Sequence, residues 1–197
     1  MICKKSDAGS AERAAAVLSS GGVAILPTDT VYGFSGAVDL RGADPFQTDR
    51  KIREIKGRGE EKPFIHLIAR PEDISFYIDC RLPPALLRHW PGALTVIVPV
   101  RGDSPLSGGL PTVAFRCPGD AWLRDVVSRT GRPVYSTSVN RSGQPVLQRV
   151  DDICAAFAHA VDLVVTDGDS GSALPSTVVR LEADGGFSVV RQGSVHV

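Results

Sequence analysis

Val23-Ala24-Ile25-Leu26-Pro27-Thr28-Asp29-Thr30-Val31-Tyr32-Gly33 joins an apolar run to a polar loop. Four successive apolar residues, bounded by Gly22 and Pro27, read as a buried strand. Just before it, Ala11, Ala14, Ala15 and Leu18 recur at helical spacing, with Ser10 as the expected cap and Gly21-Gly22 as the stop. A helix, a buried strand and a polar loop in succession point to the α/β class. Ligands bind where strand ends of α/β sheets run into loops, so the two threonines, the carboxylate and the tyrosine of this loop are site candidates. The same loop reads equally as a capped turn in which Asp29 and Thr28 bond their own backbone.

Outward from this stretch the alternation continues. Helices are expected over residues 45–56, 73–78, 84–90, 120–128 and 151–159, and strands over 64–68, 95–100, 113–116, 134–137 and 163–166. Residues 177–181 and 187–191 should form a hairpin about Asp184-Gly185-Gly186, which makes at least part of the sheet antiparallel. Sheet order does not follow from the pattern. A single domain over 1–197 is expected, with a core large enough to need no disulfide or metal.

The formal net charge is zero, so a generally basic nucleic-acid surface is not indicated, although a local patch is compatible with it. The four cysteines are scattered without a C-x-x-C pair and the four histidines without metal-ligand spacing, which argues against a zinc cage and a disulfide framework. Met1 to Ser10 holds no apolar signal core, and the longest apolar runs are strand-sized. A cytoplasmic protein without membrane contact is the expectation. No Gly-Lys dipeptide, G-x-G-x-x-G or G-x-S-x-G occurs, so a nucleotide would need another cradle.

Arg50-Lys51-Ile52-Arg53-Glu54-Ile55-Lys56-Gly57-Arg58-Gly59-Glu60-Glu61-Lys62 carries six basic and three acidic residues. Lys56 and Arg58 fall where the helix should end, so a point charge and a planar fork can converge on one anion. A solvated helix face with a basic C-terminus fits the same residues. Ser136-Thr137-Ser138-Val139-Asn140-Arg141-Ser142-Gly143 again follows an apolar run; Ser138 and Asn140, two apart, point to one side if extended. A self-bonded Ser/Asn loop is the plainer reading. Arg116, ending an apolar run, must meet a carboxylate, a ligand anion or water. Ser176 before a strand and Arg191 at the end of another are weaker candidates.

Singly these segments decide little; their order and spacing carry more. P-T-D-T-V-Y-G (27–33), K-G-R (56–58) with K-P-F (62–64), P-G-A-L-T-V (91–96), V-A-F-R (113–116), S-T-S-V-N-R-S-G (136–143), P-S-T-V-V (175–179) and R-Q-G (191–193) resemble the YrdC/TsaC-type L-threonylcarbamoyladenylate synthase family over residues 11–195. The resemblance implies a YrdC-like twisted open α/β sandwich with a mixed sheet around a concave, positively lined cavity. It implies a nucleotidyltransferase that joins L-threonine, bicarbonate and ATP, with Mg2+ carried by ATP, into threonylcarbamoyl-AMP and pyrophosphate for tRNA threonylcarbamoyladenosine synthesis. Threonylcarbamoyl-transferase partner proteins and a possible tRNA or dsRNA contact belong to the same picture.

Carried over by position, the resemblance implies catalytic roles for Lys56, Arg58, Ser138 and Asn140. These four, with Tyr32, Ser176 and Arg191, would bind ATP, while Thr28 and Arg116 would bind threonine; no metal ligand is assigned. Gly59 stands where many relatives have proline. Leu67 stands where many have a substrate-contacting histidine; the adjacent His66 should face the other side of its strand, and no ligand role is assigned to it. Lys51-Ile52-Arg53 is a decoy inside the helix. The alternative is a YrdC-like RNA-binding or nucleotide-binding paralogue without synthase activity, although aromatics for base stacking are few.

Overall fold

The computed structural model describes residues 1–40, 44, 46–59, 63–102, 104, 106 and 110–197. The expected helix start at Pro45, the Glu60–Lys62 end of the basic stretch and most of the 103–109 loop lie outside the described residues. In chain order the elements are β1 (Ile2–Lys4), α1 (Ser10–Ser19), β2 (Val23–Leu26), β3 (Gly33–Ala37), α2 (Gln47–Lys56), β4 (Ile65–Leu67), a 3-10 helix (Pro71–Phe76), α3 (Pro84–Leu87), β5 (Leu94–Pro99), β6 (Thr112–Arg116), α4 (Ala121–Thr130), β7 (Val134–Ser138), α5 (Val150–Phe157), β8 (Leu163–Thr166), β9 (Thr177–Leu181) and β10 (Phe187–Arg191). Among the described residues no helix is long and apolar enough to cross a membrane.

Among the described residues, ten strands join one mixed sheet in the order β1-β8-β2-β3-β7-β4-β6-β5-β9-β10. The β9–β10 hairpin is antiparallel, as its turn chemistry requires, and β1–β8, β8–β2, β4–β6 and β5–β9 are parallel. Period-two alternation divides the strand side chains between two cores. On one face Val23, Ile25, Phe34, Val96, Val98, Phe115, Tyr135 and Val179 pack under Ile52 of α2, Leu86 of α3 and Phe157 of α5. On the other, Ala24, Leu26, Ala37, Leu67, Val134, Leu163 and Val165 pack under Ala14 and Leu18 of α1 and Leu123, Val126 and Val127 of α4. Helices α1 and α4 cover the β1-to-β4 side of that second face and stop before β6, β5 and β9. Over β6, β5 and β9 its alternating positions are Thr95, Ile97, Ala114, Arg116 and Val178, and they line a cavity instead of a core.

Two strands were not expected from the sequence. β1 is a three-residue edge, too short to show a period. β3 contains two glycines and lacks the β-branched signature of a strand. Gly36 is there because α2 packs directly on the backbone: an added Cβ would lie 2.7 Å from Thr48 Cβ and 3.3 Å from Ile52 Cδ1. The expected Ser10 cap is also corrected. Ser10 is the first residue of α1, Gly9 precedes it in the left-handed region, and the Ser10 hydroxyl donates to Lys5 O at 2.6 Å while accepting from Trp122 Nε1 at 2.9 Å. Asp120 does cap α4, accepting from the Leu123 amide at 2.8 Å.

His66 sits on the first face, against Phe115 and Tyr135 at ring distances of 5.7 and 5.0 Å, away from the cavity. It is buried, and neither ring nitrogen has a hydrogen-bond partner of normal geometry. Burial lowers it from 6.5 to about 4, with the Ala114 backbone opposing. Above pH 6.5 it is neutral folded and unfolded and contributes no pH dependence. As pH falls below 6.5 the unfolded chain takes the proton first, so stability is lost until the folded value near 4 is reached. That window corresponds to about 3 kcal/mol. The stability difference between His66→Leu and the wild-type chain should therefore shift by that order in favour of the variant from pH 7 to pH 4. Urea unfolding at both pH values measures it; parallel pH profiles would contradict the assignment.

Candidate active site

The cavity on the half-covered face has a volume of about 320 Å³. Its rim brings together Thr28, Tyr32, Arg58, Arg116, Ser138, Ser176 and Arg191, seven of the nine positions singled out in the sequence. The other two, Lys56 and Asn140, stand behind Ser138 and do not line it.

Lys56 is the last residue of α2, which Gly57 terminates in the left-handed conformation at φ 60°. Its side chain turns inward and is only 1% exposed. Nζ donates to Ser138 O, to Asn140 O at 3.0 Å and to Asn140 Oδ1 at 2.9 Å. Asn140 Oδ1 also accepts from Ser138 Oγ at 2.8 Å, and Asn140 Nδ2 donates to Gln144 O at 2.6 Å. The end of α2 and the loop after β7 are tied a second time by the Ser142 amide on Lys56 O at 2.8 Å and by Arg141 Nη1 on Ile55 O at 3.1 Å. Burial, with the charge of Arg58, lowers the lysine ammonium from 10.5 to about 7. The three oxygens oppose that loss, because only the ammonium can donate to all of them.

Arg58 reaches the rim, with Nη2 on Pro63 O at 3.1 Å and its guanidinium 5.1 Å from the Phe64 ring centre. Across the cavity Arg116 ends β6, 5% exposed, and donates to Asp29, Thr30 and Gly92 O. Arg191 ends β10 and donates to Ser176 O at 2.8 Å; the Ser176 hydroxyl meets Thr95 Oγ1 at 2.8 Å. Burial first, and the charge of Arg116 second, lower Arg191 from its ordinary value. Two cations thus share this wall closely enough to feel each other.

Two hydroxyls are committed within the protein. Thr28 Oγ1 donates to Val31 O at 2.8 Å and accepts from the Thr30 amide at 2.9 Å, which is the capped turn that its sequence also allowed. Tyr32 donates to Gly168 O and accepts from the Asp167 amide, both at 2.7 Å, fastening the 167–168 turn beside the cavity. The decoy pair is held elsewhere: Lys51 Nζ donates to Gly21 O at 2.7 Å, and Arg53 pairs with Asp49 at 2.5 Å. Arg50 pairs with Asp44, so much of the basic stretch is answered locally. The sequence made Asp29 and Thr30 loop candidates without a specific role and left Thr95 unassigned. Their only signal was a carboxylate between two threonines at a strand end, and a polar residue near the start of an apolar strand. Among the described residues no group of three or more His, Cys, Asp or Glu is placed to hold a metal ion.

The Sua5_yciO_yrdC family model, described as "Telomere recombination", matches residues 16–193. The chain belongs to the Sua5/YciO/YrdC family. It is 33% identical to the threonylcarbamoyl-AMP synthase of Bacillus subtilis (strain 168), over 87% of this chain and 50% of that protein. It is 30% identical to the protein of that name from Marinobacter nauticus, over 82% of this chain and 86% of that protein. The human threonylcarbamoyl-AMP synthase is 31% identical over 91% of this chain and 66% of that protein. The chain spans about half to two thirds of the length of the first curated relatives it matches. Among solved structures, P. abyssi Sua5 complexed with L-threonine superposes with a TM-score of 0.84 at 26% identity, covering 98% of this chain and 57% of that one. E. coli YciO shares the fold, with a TM-score of 0.80 at 22% identity and coverage of 98% and 93%.

In this Sua5/YciO/YrdC chain, the lysine of K-x-R is a structural tie as well as a charge. Lys56→Met removes a donor shared by three partly buried oxygens, of which Asn140 Oδ1 keeps Ser138 Oγ, and costs about 2–4 kcal/mol. Urea unfolding at pH 7 should show a loss of that order, whereas Arg58→Met at the rim should change stability by less than about 1 kcal/mol. Equal stability of Lys56→Met and the wild-type chain would show that the tie carries no net energy.

Proposed function

We propose that the chain is an L-threonylcarbamoyladenylate synthase, a nucleotidyltransferase acting as a single cytoplasmic domain. The observation that carries this reading is the charge pattern of the cavity. Arg58 and the Lys56–Ser138–Asn140 knot stand at one side, Arg116 and Arg191 at the other, with hydroxyls between. The names of the relatives support it, as does the fold shared with a Sua5 that was crystallised with L-threonine.

The reaction brings together two groups that repel. The threonine amine adds to bicarbonate and loses water, giving a carbamate. A carbamate oxygen then attacks the α-phosphorus of MgATP, and the bond to the β-phosphate bridging oxygen breaks to release pyrophosphate. Such a transfer is served by positioning and fixed charge, without a covalent nucleophile. Arg116 receives the threonine carboxylate. Arg58, Arg191 and the Lys56 charge hold the triphosphate, Ser138 and Asn140 fix the loop on which it rests, and Ser176 and Tyr32 border the nucleotide. Magnesium enters as part of the MgATP substrate. Product passes to threonylcarbamoyl-transferase partners for tRNA modification, and contact with RNA is secondary to the chemistry.

Wild-type protein should release pyrophosphate only when L-threonine, bicarbonate and MgATP are all present, and Arg58→Ala should lower that rate at least a hundredfold. A wild-type rate in Arg58→Ala would refute the assignment; nucleic-acid binding with steep salt dependence but no pyrophosphate would favour the RNA-binding alternative. Triphosphate beside Lys56 should raise its pKa from about 7. ATP binding should then take up close to one proton at pH 8 and almost none at pH 6, read by calorimetry in buffers of different ionisation enthalpy. Proton release at pH 8 would contradict a lysine near the phosphates.

A further inference from the structure

The turn Thr28-Asp29-Thr30 holds Arg116 by a connected set of hydrogen bonds. Arg116 Nη2 donates to Asp29 Oδ1 at 2.7 Å, Nη1 to Thr30 Oγ1 at 2.9 Å and Nε to Gly92 O at 3.1 Å. The second carboxylate oxygen, Asp29 Oδ2, accepts from the Gly119 amide at 2.9 Å, in the turn between β6 and α4. A methyl group at Gly119 would lie 2.7 Å from Asp29 Oδ2, so a glycine is needed for this approach.

The hydroxyl directions follow from counting protons. Thr28 Oγ1 donates its one proton to Val31 O. In the 2.9 Å contact between the two threonine hydroxyls, Thr30 is therefore the donor, and its oxygen has lone pairs left for Arg116. Each group in the set has one consistent role.

A guanidinium has five N–H groups in a fixed plane. Three are taken, one on each nitrogen, and each terminal nitrogen keeps one that no described residue accepts. Arg116 lines the cavity, so these N–H groups are what its guanidinium keeps for the oxygens of an anionic ligand. Asp29 is also the one anion that hydrogen-bonds Arg116 among the described residues. Without it, two mutually repelling arginines, Arg116 and Arg191, would face the same buried wall.

We propose that Asp29 is the positioning residue for substrate recognition: braced by the Gly119 amide, it locks Arg116 so that the two remaining N–H groups receive the carboxylate of an α-amino acid. That the amino acid is threonine rests on the synthase reading; the bracing of Arg116 does not. Asp29→Asn keeps the shape but can satisfy only Arg116 or the Gly119 amide with its single acceptor oxygen. Gly119→Ala retains both charged groups but displaces the carboxylate.

The test uses wild type, Asp29→Ala, Asp29→Asn and Gly119→Ala, with two readouts. One is the KM for L-threonine against that for ATP in pyrophosphate release. The other is the Arg116 guanidinium signal in 15N-arginine spectra, assigned by its loss in Arg116→Lys. We expect resolved, slowly rotating Nη protons in the wild type that average in Asp29→Ala. The threonine KM should rise at least tenfold there while the ATP KM changes less than threefold, with Asp29→Asn and Gly119→Ala intermediate. Unchanged Arg116 signals in Asp29→Ala, or a threonine KM within twofold of wild type, overturns the proposal. A wild-type protein that releases no pyrophosphate sinks the synthase reading instead. The Arg116 signals then decide alone, averaging in Asp29→Ala supporting the bracing and persistence rejecting it.

Discussion

Positive charge is concentrated in a half-buried cavity, and backbone carbonyl oxygens hold much of it. Lys56 rests on Ser138 O, Asn140 O and the Asn140 amide oxygen; Arg191 rests on Ser176 O; Arg58 has Pro63 O, and Arg116 has Gly92 O. A buried cation needs acceptors, and a carboxylate at each would satisfy it while cancelling the field. Backbone dipoles stabilise the charge and leave it available to an anion. The carbonyls of Asn140, Ser176, Pro63 and Gly92 belong to loop residues flanking the strands, where the backbone is not committed to a ladder. Lys56, Arg116 and Arg191 are the last residues of α2, β6 and β10.

Arg116 differs from Lys56 and Arg191. It is the most enclosed of the arginines at the cavity and has a carboxylate, Asp29, beside it. A guanidinium held by a carboxylate is fixed in orientation and offers geometry more than net charge.

The sheet makes the cavity by omission. Alternation sends large apolar side chains to one face, under α2, α3 and α5, along the whole width of the central strands. The opposite face has two covering helices, α1 and α4, and they stop short of β6, β5 and β9. Over that gap the inward positions are Thr95, Ile97, Ala114, Arg116 and Val178, a mixture of polar and apolar side chains that no helix covers.

The amino-acid order by itself determined the α/β class, the positions of most strands and helices, and the family, because these rest on local periodicity and on residue types at fixed spacing. It also placed Ser138 beside Asn140 and put Lys56 at a helix end. Local pattern missed β3, whose Gly36 answers a helix packed across it, and it named Asp29 without a role, because that role lies in Arg116 and Gly119 far along the chain. It could not say that Lys56 turns inward to Asn140 or that Thr28 is committed to its own turn. Those facts depend on which distant carbonyls and amides come within 3 Å, and only the packed sheet decides that.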